Sequence, residues 1–260
     1  MPELPEVETV VRTLRPFVVG RRIEEARFFT PLILAGKPEP QVDGMVIAAA
    51  TRYGKNILLQ LDQGVLVIHL GMTGRLLTNA TPGKHTRAVF TLDKGSVIYD
   101  DIRMFGRIEF GRELPEHIAA LGPDALEISA ADFVAAVRAR KTRIKSLLLN
   151  QNVLRGLGNI YVDEVLFRAG IHPLALAQRL KAGRLLKLHA VIVEVLEASI
   201  AAGGSSISDY VDTAGRQGSF QDQHQVYGKE SEPCVNCSRA IIRIVVAQRG
   251  THFCERCQKR

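Results

Sequence analysis

The chain has 260 residues, a length that fits one or two domains. Hydrophobic residues make up 46% and charged residues 23%, an ordinary globular mix with enough apolar mass for a core. The net charge of +7 favours a polyanionic partner, because Lys and Arg that neutralise phosphates release condensed counterions, although charge alone does not decide for nucleic acid.

No stretch approaches the roughly 20 apolar residues of a membrane span. The opening MPELPEVE is acidic and broken by proline, the opposite of a secretory signal. The expected location is the cytoplasm, where thiols stay reduced and four cysteines serve as metal ligands rather than disulfides.

In chain order, Pro5 to Pro16 reads as a helix. Val7, Val10, Val11 and Leu14 recur at helical spacing, Pro5 suits a first turn, and Glu6 and Glu8 favour the positive end of the dipole. From about Arg22 to Phe110 the pattern changes to short β-rich runs: Val46–Ala50, Ile57–Leu61, Val65–Leu70, Ala88–Leu92, Val97–Tyr99 and Ile108–Phe110. Turn residues such as Asp62-Gln63-Gly64 and Asp93-Lys94-Gly95 punctuate them, which predicts a sandwich or barrel.

Leu121-Gly122-Pro123-Asp124 reads as a linker, and the following texture is helical. Helices are expected over Ala131–Ala139, Arg143–Leu149, Ile160–Arg168 and Arg184–Ala201, the last with Leu185, Leu188, Ile192, Val195 and Leu196 on one stripe. The polar, Gly- and Ser-rich stretch from Gly203 to Gln225 is long for an ordinary connection and is read as a mobile functional loop.

At the C-terminal end, Cys234-Val-Asn-Cys237 and Cys254-Glu-Arg-Cys257 stand sixteen residues apart. Each C-x2-C turn aims two thiolates at one point, and two such turns complete a closed tetrahedral site, so one structural Zn2+ is expected. Between them Ile241–Ala247 reads as a β-ribbon with Gln248-Arg249-Gly250-Thr251 at its turn. Arg239, Arg243, Arg249, Arg256, Lys259 and Arg260 make this module basic enough to sit on phosphates.

The start MPELPEVETV, the segment His69-Leu-Gly-Met-Thr-Gly74, the segment Gly156-Leu-Gly-Asn-Ile-Tyr161 and the terminal cysteines occur in that order. Together they closely resemble the formamidopyrimidine-DNA glycosylases, bacterial enzymes that remove 8-oxoguanine and ring-opened purines, and the resemblance runs from Pro2 to Cys257. It implies an α+β, two-domain chain: an N-terminal β-sandwich flanked by helices, then a helix–two-turn–helix domain with a four-cysteine zinc finger. The expected division is a catalytic sandwich over 1–120, the helical DNA-binding domain with a lesion-capping loop over 121–225, and the finger over 226–260. The expected partner is double-stranded DNA carrying oxidised or abasic nucleotides, with no membrane and with the chain acting as a monomer.

The resemblance also implies roles residue by residue. A small residue after Met1 allows the initiator methionine to be removed, leaving Pro2 with a free secondary amine. An α-amino group titrates at roughly 7.7–8.0, against about 10.4 for Lys, so a useful fraction is neutral near pH 7. Attack at C1′ expels the base and leaves an iminium that cannot lose its charge as a neutral imine, which eases β-elimination. Glu3 matches the proton donor that helps open the sugar ring, Lys55 a proton donor in β-elimination, and Arg249 the catalytic arginine at the finger tip with a role in δ-elimination and phosphate binding, which a guanidinium serves better by clamping the phosphate than by giving up a proton. Read without the resemblance, Glu8 is a dipole partner and Lys55 a loop lysine, and Glu6 is left outside the catalytic set. Met72, Arg103 and Phe105 match the triad that fills the gap left by the extruded nucleotide, an apolar wedge, a cation and an aromatic. His85, Arg103, Arg140, Lys145 and Asn159 match DNA-binding positions.

One segment departs from the family pattern. Where the family commonly reads Asp-Pro-Arg-Arg-Phe-Gly, this chain has Asp101-Ile-Arg-Met-Phe-Gly106, so the shape of the wedge loop and the preference for the opposite base are open. Two other readings compete: an endonuclease VIII-like glycosylase for oxidised pyrimidines, whose usual Pro-Glu-Gly-Pro-Glu start differs at Leu4, and a non-catalytic binder of damaged DNA.

Overall fold

The computed structural model describes residues 2–34, 37–207 and 209–260. The chain forms two compact units, one of Met1–Ala120 with Ile200–Gln221 and one of Leu121–Ser199 with Asp222–Arg260.

The first unit opens with α1, Leu4–Val18. Glu3 and Glu6 form a reciprocal capping box at its start, and Pro5 sits in the first turn where no amide partner is needed. The helix runs two residues past Pro16, and its valine and leucine face is buried. Strands follow in order: β1 Ile23–Phe28, β2 Ile47–Tyr53, β3 Asn56–Leu61, β4 Gly64–His69, β5 Gly74–Thr78, β6 Thr86–Leu92, β7 Ser96–Asp101 and β8 Arg107–Gly111, then a short α2, Glu116–Ala119. They build two antiparallel four-stranded sheets, ordered β1-β6-β7-β5 and β2-β3-β4-β8. Residues from α1 and both sheets, among them Leu14, Ile23, Ile57, Ile68, Leu76 and Phe90, share one core, which makes the unit a sandwich with a helix packed on it.

The segment 200–221 folds back on this unit. Tyr210 joins the sandwich core and Phe220 is fully buried. Ser205 N–H donates to Glu6 Oε1 (2.7 Å), Ser206 Oγ donates to Tyr210 O (2.9 Å), and Thr78 N–H donates to Thr213 O (3.0 Å).

The second unit contains α3 Ala130–Arg138, α4 Ile144–Leu149, α5 Asn159–Arg168 and α6 Ala182–Ala201, then the hairpin of β9 Ile242–Val246 and β10 Arg249–Phe253. Ser129 caps α3 through Asp132 N–H. Residues 121–124, read from sequence as a linker, are tied to the turns after α4: Gly122 N–H donates to Gln151 O (3.0 Å) and Arg155 N–H to Pro123 O (3.0 Å). Among the described residues no helix is long and apolar enough to cross a membrane.

Candidate active site and nucleic-acid interface

In the sandwich unit, Pro2 is buried directly before α1, with two buried carboxylates beside it in the chain, Glu3 and Glu6. Glu6 Oε2 accepts from Glu3 N–H (2.8 Å) while Oε1 accepts from Ser205 N–H, so this carboxylate fastens the helix start to the 203–206 segment. Its role as a link is invisible in the sequence, because the two residues are 199 positions apart. Glu8 serves differently. Burial alone would raise its carboxyl, but the guanidinium groups of Arg12 and Arg52, at 2.8 and 3.0 Å, hold it below the ordinary carboxylate range. Met1, whose removal the N-terminal chemistry requires, lies outside the described residues.

Lys55 sits with Gly54 in the two-residue turn between β2 and β3, where Tyr53 pairs with Asn56. Gly54 has φ 62°, a left-handed conformation open to glycine at the first position of a tight hairpin turn, so it sets where Lys55 emerges. Lys55 is nonetheless 8% exposed. Opposite Asn56 in the neighbouring strand stands His69, a residue the sequence reading passed over. Its Nδ1 accepts from Gly71 N–H (3.1 Å). Burial first, then the charges of Lys55 and Arg107, push its pKa down to about 4, so it is neutral at physiological pH.

A stability effect follows from that shift. Unfolded, this histidine titrates near 6.5, so between about pH 6.5 and 4 the unfolded chain holds a proton that the folded chain does not. The contribution is complete above pH 6.5 and is lost as pH falls toward 4, on the order of 3 kcal/mol in all. Urea unfolding at stepped pH is expected to show a shallower acid loss in His69→Gln than in the parent; equal slopes would remove His69 from the account.

The strand ends after β4 and β7 carry Met72, Arg103 and Phe105. Met72 is 40% and Phe105 49% exposed, although both residue types read as core in the sequence. The Arg103 guanidinium lies over the Phe105 ring, 4.6 Å from its centroid. Both loops converge on Asp101, which is fully buried. Its Oδ1 accepts from Thr73 Oγ1 (2.5 Å) and Arg103 N–H (3.2 Å), and its Oδ2 from Gly106 N–H (2.8 Å) and Tyr99 OH (3.3 Å). Of the two departures from the family pattern, Ile102 is exposed and Met104 adopts a left-handed φ of 56°. Gly106 is forced: a Cβ there would collide with the Tyr99 hydroxyl oxygen and lie 2.8 Å from His69 O. Gly106→Ala is expected to cost about 1–3 kcal/mol and to displace the loop; a thermal unfolding midpoint equal to the parent's would contradict this. His85 is half-buried beside the same strands, its carbonyl accepting from Asp101 N–H (2.9 Å).

In the helical unit, Lys145, Asn159 and Arg249 come together around the tip of the β9–β10 hairpin. The sequence reading put the turn at 248–251, but β10 begins at Arg249 and the turn is Ala247-Gln248 alone. Both have left-handed φ values, 49° and 59°, the two-residue geometry that matches strand twist. Arg249 is thereby an exposed side chain at the hairpin end. Asn159, first residue of α5, donates through Nδ2 to Gly250 O (2.9 Å).

Lys145, expected at the DNA backbone, is instead fully buried. Its Nζ donates to Asp163 Oδ1 (2.6 Å) and to Gly250 O (3.3 Å), and Asp163 Oδ2 accepts from His252 N–H (2.8 Å). An ammonium removed from water requires a counter-charge, and α5 supplies one, so this lysine braces the hairpin from beneath. The Arg140 guanidinium is turned back onto the Ala136 carbonyl (2.6 Å). A further buried carboxylate, Glu164, accepts from the main-chain N–H groups of Gln225, Val226 and Tyr227, which anchors the chain entering the finger.

The four cysteine sulfurs lie within 4.8 Å of one another, with Cys234–Cys257 at 3.8 Å and Cys237–Cys254 at 3.5 Å. A tetrahedron with Zn–S bonds of about 2.3 Å has edges of about 3.8 Å, so the donor set fits zinc. The Arg239 N–H lowers the Cys237 thiol to about 7, while burial and the neighbouring sulfurs push Cys257 up to about 12. Four sulfurs at this spacing share a cation once binding has displaced their protons. Cys234, Cys237, Cys254 and Cys257 hold one structural zinc ion, with no coordination position open for chemistry.

A sandwich unit opened by a buried proline, joined in one chain to a helix–two-turn–helix unit with a zinc finger, defines a DNA glycosylase of base excision repair. The chain belongs to the formamidopyrimidine-DNA glycosylase family. Residues 1–108 match the family model for the formamidopyrimidine-DNA glycosylase N-terminal domain, 121–211 that for its H2TH domain, and 231–260 that for the zinc finger found in FPG and IleRS. The formamidopyrimidine-DNA glycosylase of Solibacter usitatus is 55% identical over the full length of both chains, and that of Bacillus subtilis 41% over 99% of each. Among solved structures, the MutM (Fpg) protein of Thermus thermophilus superposes with a TM-score of 0.91 at 38% identity, covering 99% of this chain and 98% of that one. A Lactococcus lactis Fpg mutant bound to Fapy-dG containing DNA gives 0.89 at 36% identity, covering all of both chains.

Proposed function

We propose that this protein is a bifunctional glycosylase and AP lyase that removes oxidised purines, 8-oxoguanine and formamidopyrimidines, from double-stranded DNA. The observation that carries the reading is the buried start of the chain, where Pro2 precedes two buried carboxylates, Glu3 capping α1 and Glu6 in its first turn. With Met1 removed, the neutral Pro2 amine attacks C1′ of the damaged nucleotide. The glycosidic electron pair leaves with the base, and Glu3 protonates the ring oxygen as the sugar opens. The resulting iminium draws electrons from C2′ once its proton is lost, and the 3′ phosphate departs; a second elimination releases the 5′ phosphate. Lys55 supplies a proton in this sequence, and general acid–base help of this kind is worth about 10²–10⁴-fold.

Met72, Arg103 and Phe105 fill the gap left in the duplex, a role supported by the exposure of all three residues and by the Asp101 brace that fixes both loops. Asn159 and Arg249 take the DNA backbone, with His85 and Arg140 as further contacts. Lys145 acts beneath them by holding the hairpin, and His69 keeps a neutral imidazole beside Lys55. The segment 203–225 covers the extruded base. The protein works as a monomer in the bacterial cytoplasm, at the nucleoid.

Borohydride trapping across a lesion panel tests the reading. A covalent adduct is expected on duplexes carrying 8-oxoguanine or formamidopyrimidine. Capture on thymine glycol but not on 8-oxoguanine would replace it with the pyrimidine activity, and tight binding of damaged duplex with no adduct at all would leave a non-catalytic binder.

A further inference from the structure

The helical unit has a second concave surface that the chemistry above does not use. A cleft of about 720 Å³ opens between the start of α4, the 174–181 connection, the first turn of α6 and Arg260. Leu174, Ala175, Leu176 and Leu180 form an apolar floor, while Arg143, Arg179, Lys181, Arg184 and Arg260 surround it, and no Asp or Glu lines it. Arg143, Arg179, Lys181 and Arg260 are exposed, and among the described residues none of them pairs with a carboxylate side chain.

The walls are built from fixed parts. Ile144 N–H donates to Ala175 O (2.8 Å) and Ala177 N–H to Thr142 O (2.9 Å), which closes the floor against α4. Arg184 spans the far side, donating to Gly170 O (3.1 Å), Lys259 O (2.8 Å) and Arg260 O (3.2 Å). Gly170 lies just beyond the C-terminal end of α5, whereas Asn159 and the hairpin tip lie at its N-terminal end. Ten residues of helix span about 15 Å, so the Gly170–Arg184 wall stands about that far from the Asn159–Arg249 surface, while the Arg143 wall lies two residues before Lys145.

Charge and surface type together select the occupant. Exposed cations with no carboxylate side chain beside them call for an anionic partner. A phosphodiester backbone would satisfy the rim yet leave the exposed Leu176 and the half-buried Leu174 facing a charged strand. An acidic segment interspersed with apolar side chains satisfies both, because carboxylates accept paired N–H groups from arginine while aliphatic or aromatic side chains cover the floor. The volume lies within the roughly 300–1,000 Å³ of well-formed ligand sites, room for a few side chains of such a segment. We propose that this cleft docks an acidic, amphipathic segment of a partner protein, its carboxylates on Arg143 and Arg179 and its apolar side chains on Leu174, Leu176 and Leu180.

The test titrates the full-length, zinc-loaded protein into a short fluorescein-labelled peptide of alternating aspartate and leucine, read by anisotropy. Saturable binding is expected, weakened about tenfold or more when serine replaces the leucines, and by a similar factor in R143E/R179E. The same double variant is expected to keep its zinc and to cleave lesion-containing duplex at the parent rate. If the reversal impairs folding, R143Q/R179Q with a proportionally smaller loss answers the same question. Absence of saturable binding overturns the proposal, as does equal binding of the serine peptide, which would reduce the cleft to a charged surface. A loss of affinity for undamaged duplex in R143E/R179E as large as the loss for the peptide would make it a nucleic-acid surface instead.

Discussion

Protein carrying any residue ahead of Pro2 is expected to lose covalent capture of damaged DNA and strand cleavage together. The proposed nucleophile is an imino nitrogen whose lone pair becomes an amide the moment another residue is joined to it. An amide nitrogen neither attacks C1′ nor forms an iminium, so both activities depend on one atom. The loss is expected to reach at least about 10³-fold, on the order of 4 kcal/mol in the barrier. Binding to a duplex with an uncleavable abasic analogue is expected to change far less, because the cations of the helical unit and finger are untouched. Intact-mass measurement paired with single-turnover cleavage reads this directly. Full activity from a preparation whose leading methionine is still attached would end the proposed chemistry, whatever the lesion preference.

The elements legible in the sequence were those whose signal is local. The valine and leucine stripe of α1, the long stripe of α6 and the spacing of Cys234, Cys237, Cys254 and Cys257 each declare themselves within a few turns of chain. Strand β1 escaped because Glu24, Glu25 and Arg27 dilute its apolar pattern and Ile23 alone is fully buried, and β5 because it is short and opens on Gly74. Site residues divide in the same way. Met72 and Phe105 are apolar side chains held out in solvent, so residue type alone places them in the core, and what exposes them is the distant Asp101 anchor. His69 becomes visible only through register, which sets it opposite Asn56 and beside Lys55. The family resemblance placed Lys145 near the DNA surface of its unit but not its direction, because the partner that turns it inward is on the next helix, eighteen residues away.

That inward turn makes Asp163 the most consequential residue outside the reacting groups. Asp163→Ala strands the Lys145 ammonium, fully buried, without its counter-charge and removes the acceptor for His252 N–H. Breaking one side of a buried ion pair costs about 3–5 kcal/mol, enough to threaten the fold of the whole unit. Stability and positioning can be separated, because replacing both partners with apolar residues of similar volume is often neutral. Lys145→Met with Asp163→Leu is therefore expected to restore the unfolding midpoint toward the parent value. It cannot restore the bond from Lys145 to Gly250 O or from His252 N–H to a carboxylate, which together with the Asn159 Nδ2 bond to Gly250 O hold the residues following Arg249 against α4 and α5. Cleavage of lesion-containing duplex is expected to stay low in the double variant, with binding weaker and less steeply salt-dependent than in the parent as the clamp on the phosphate loosens. Recovery of stability and cleavage together would show that the pair only fills space; recovery of stability alone places the geometry of the finger tip under the control of two buried charges.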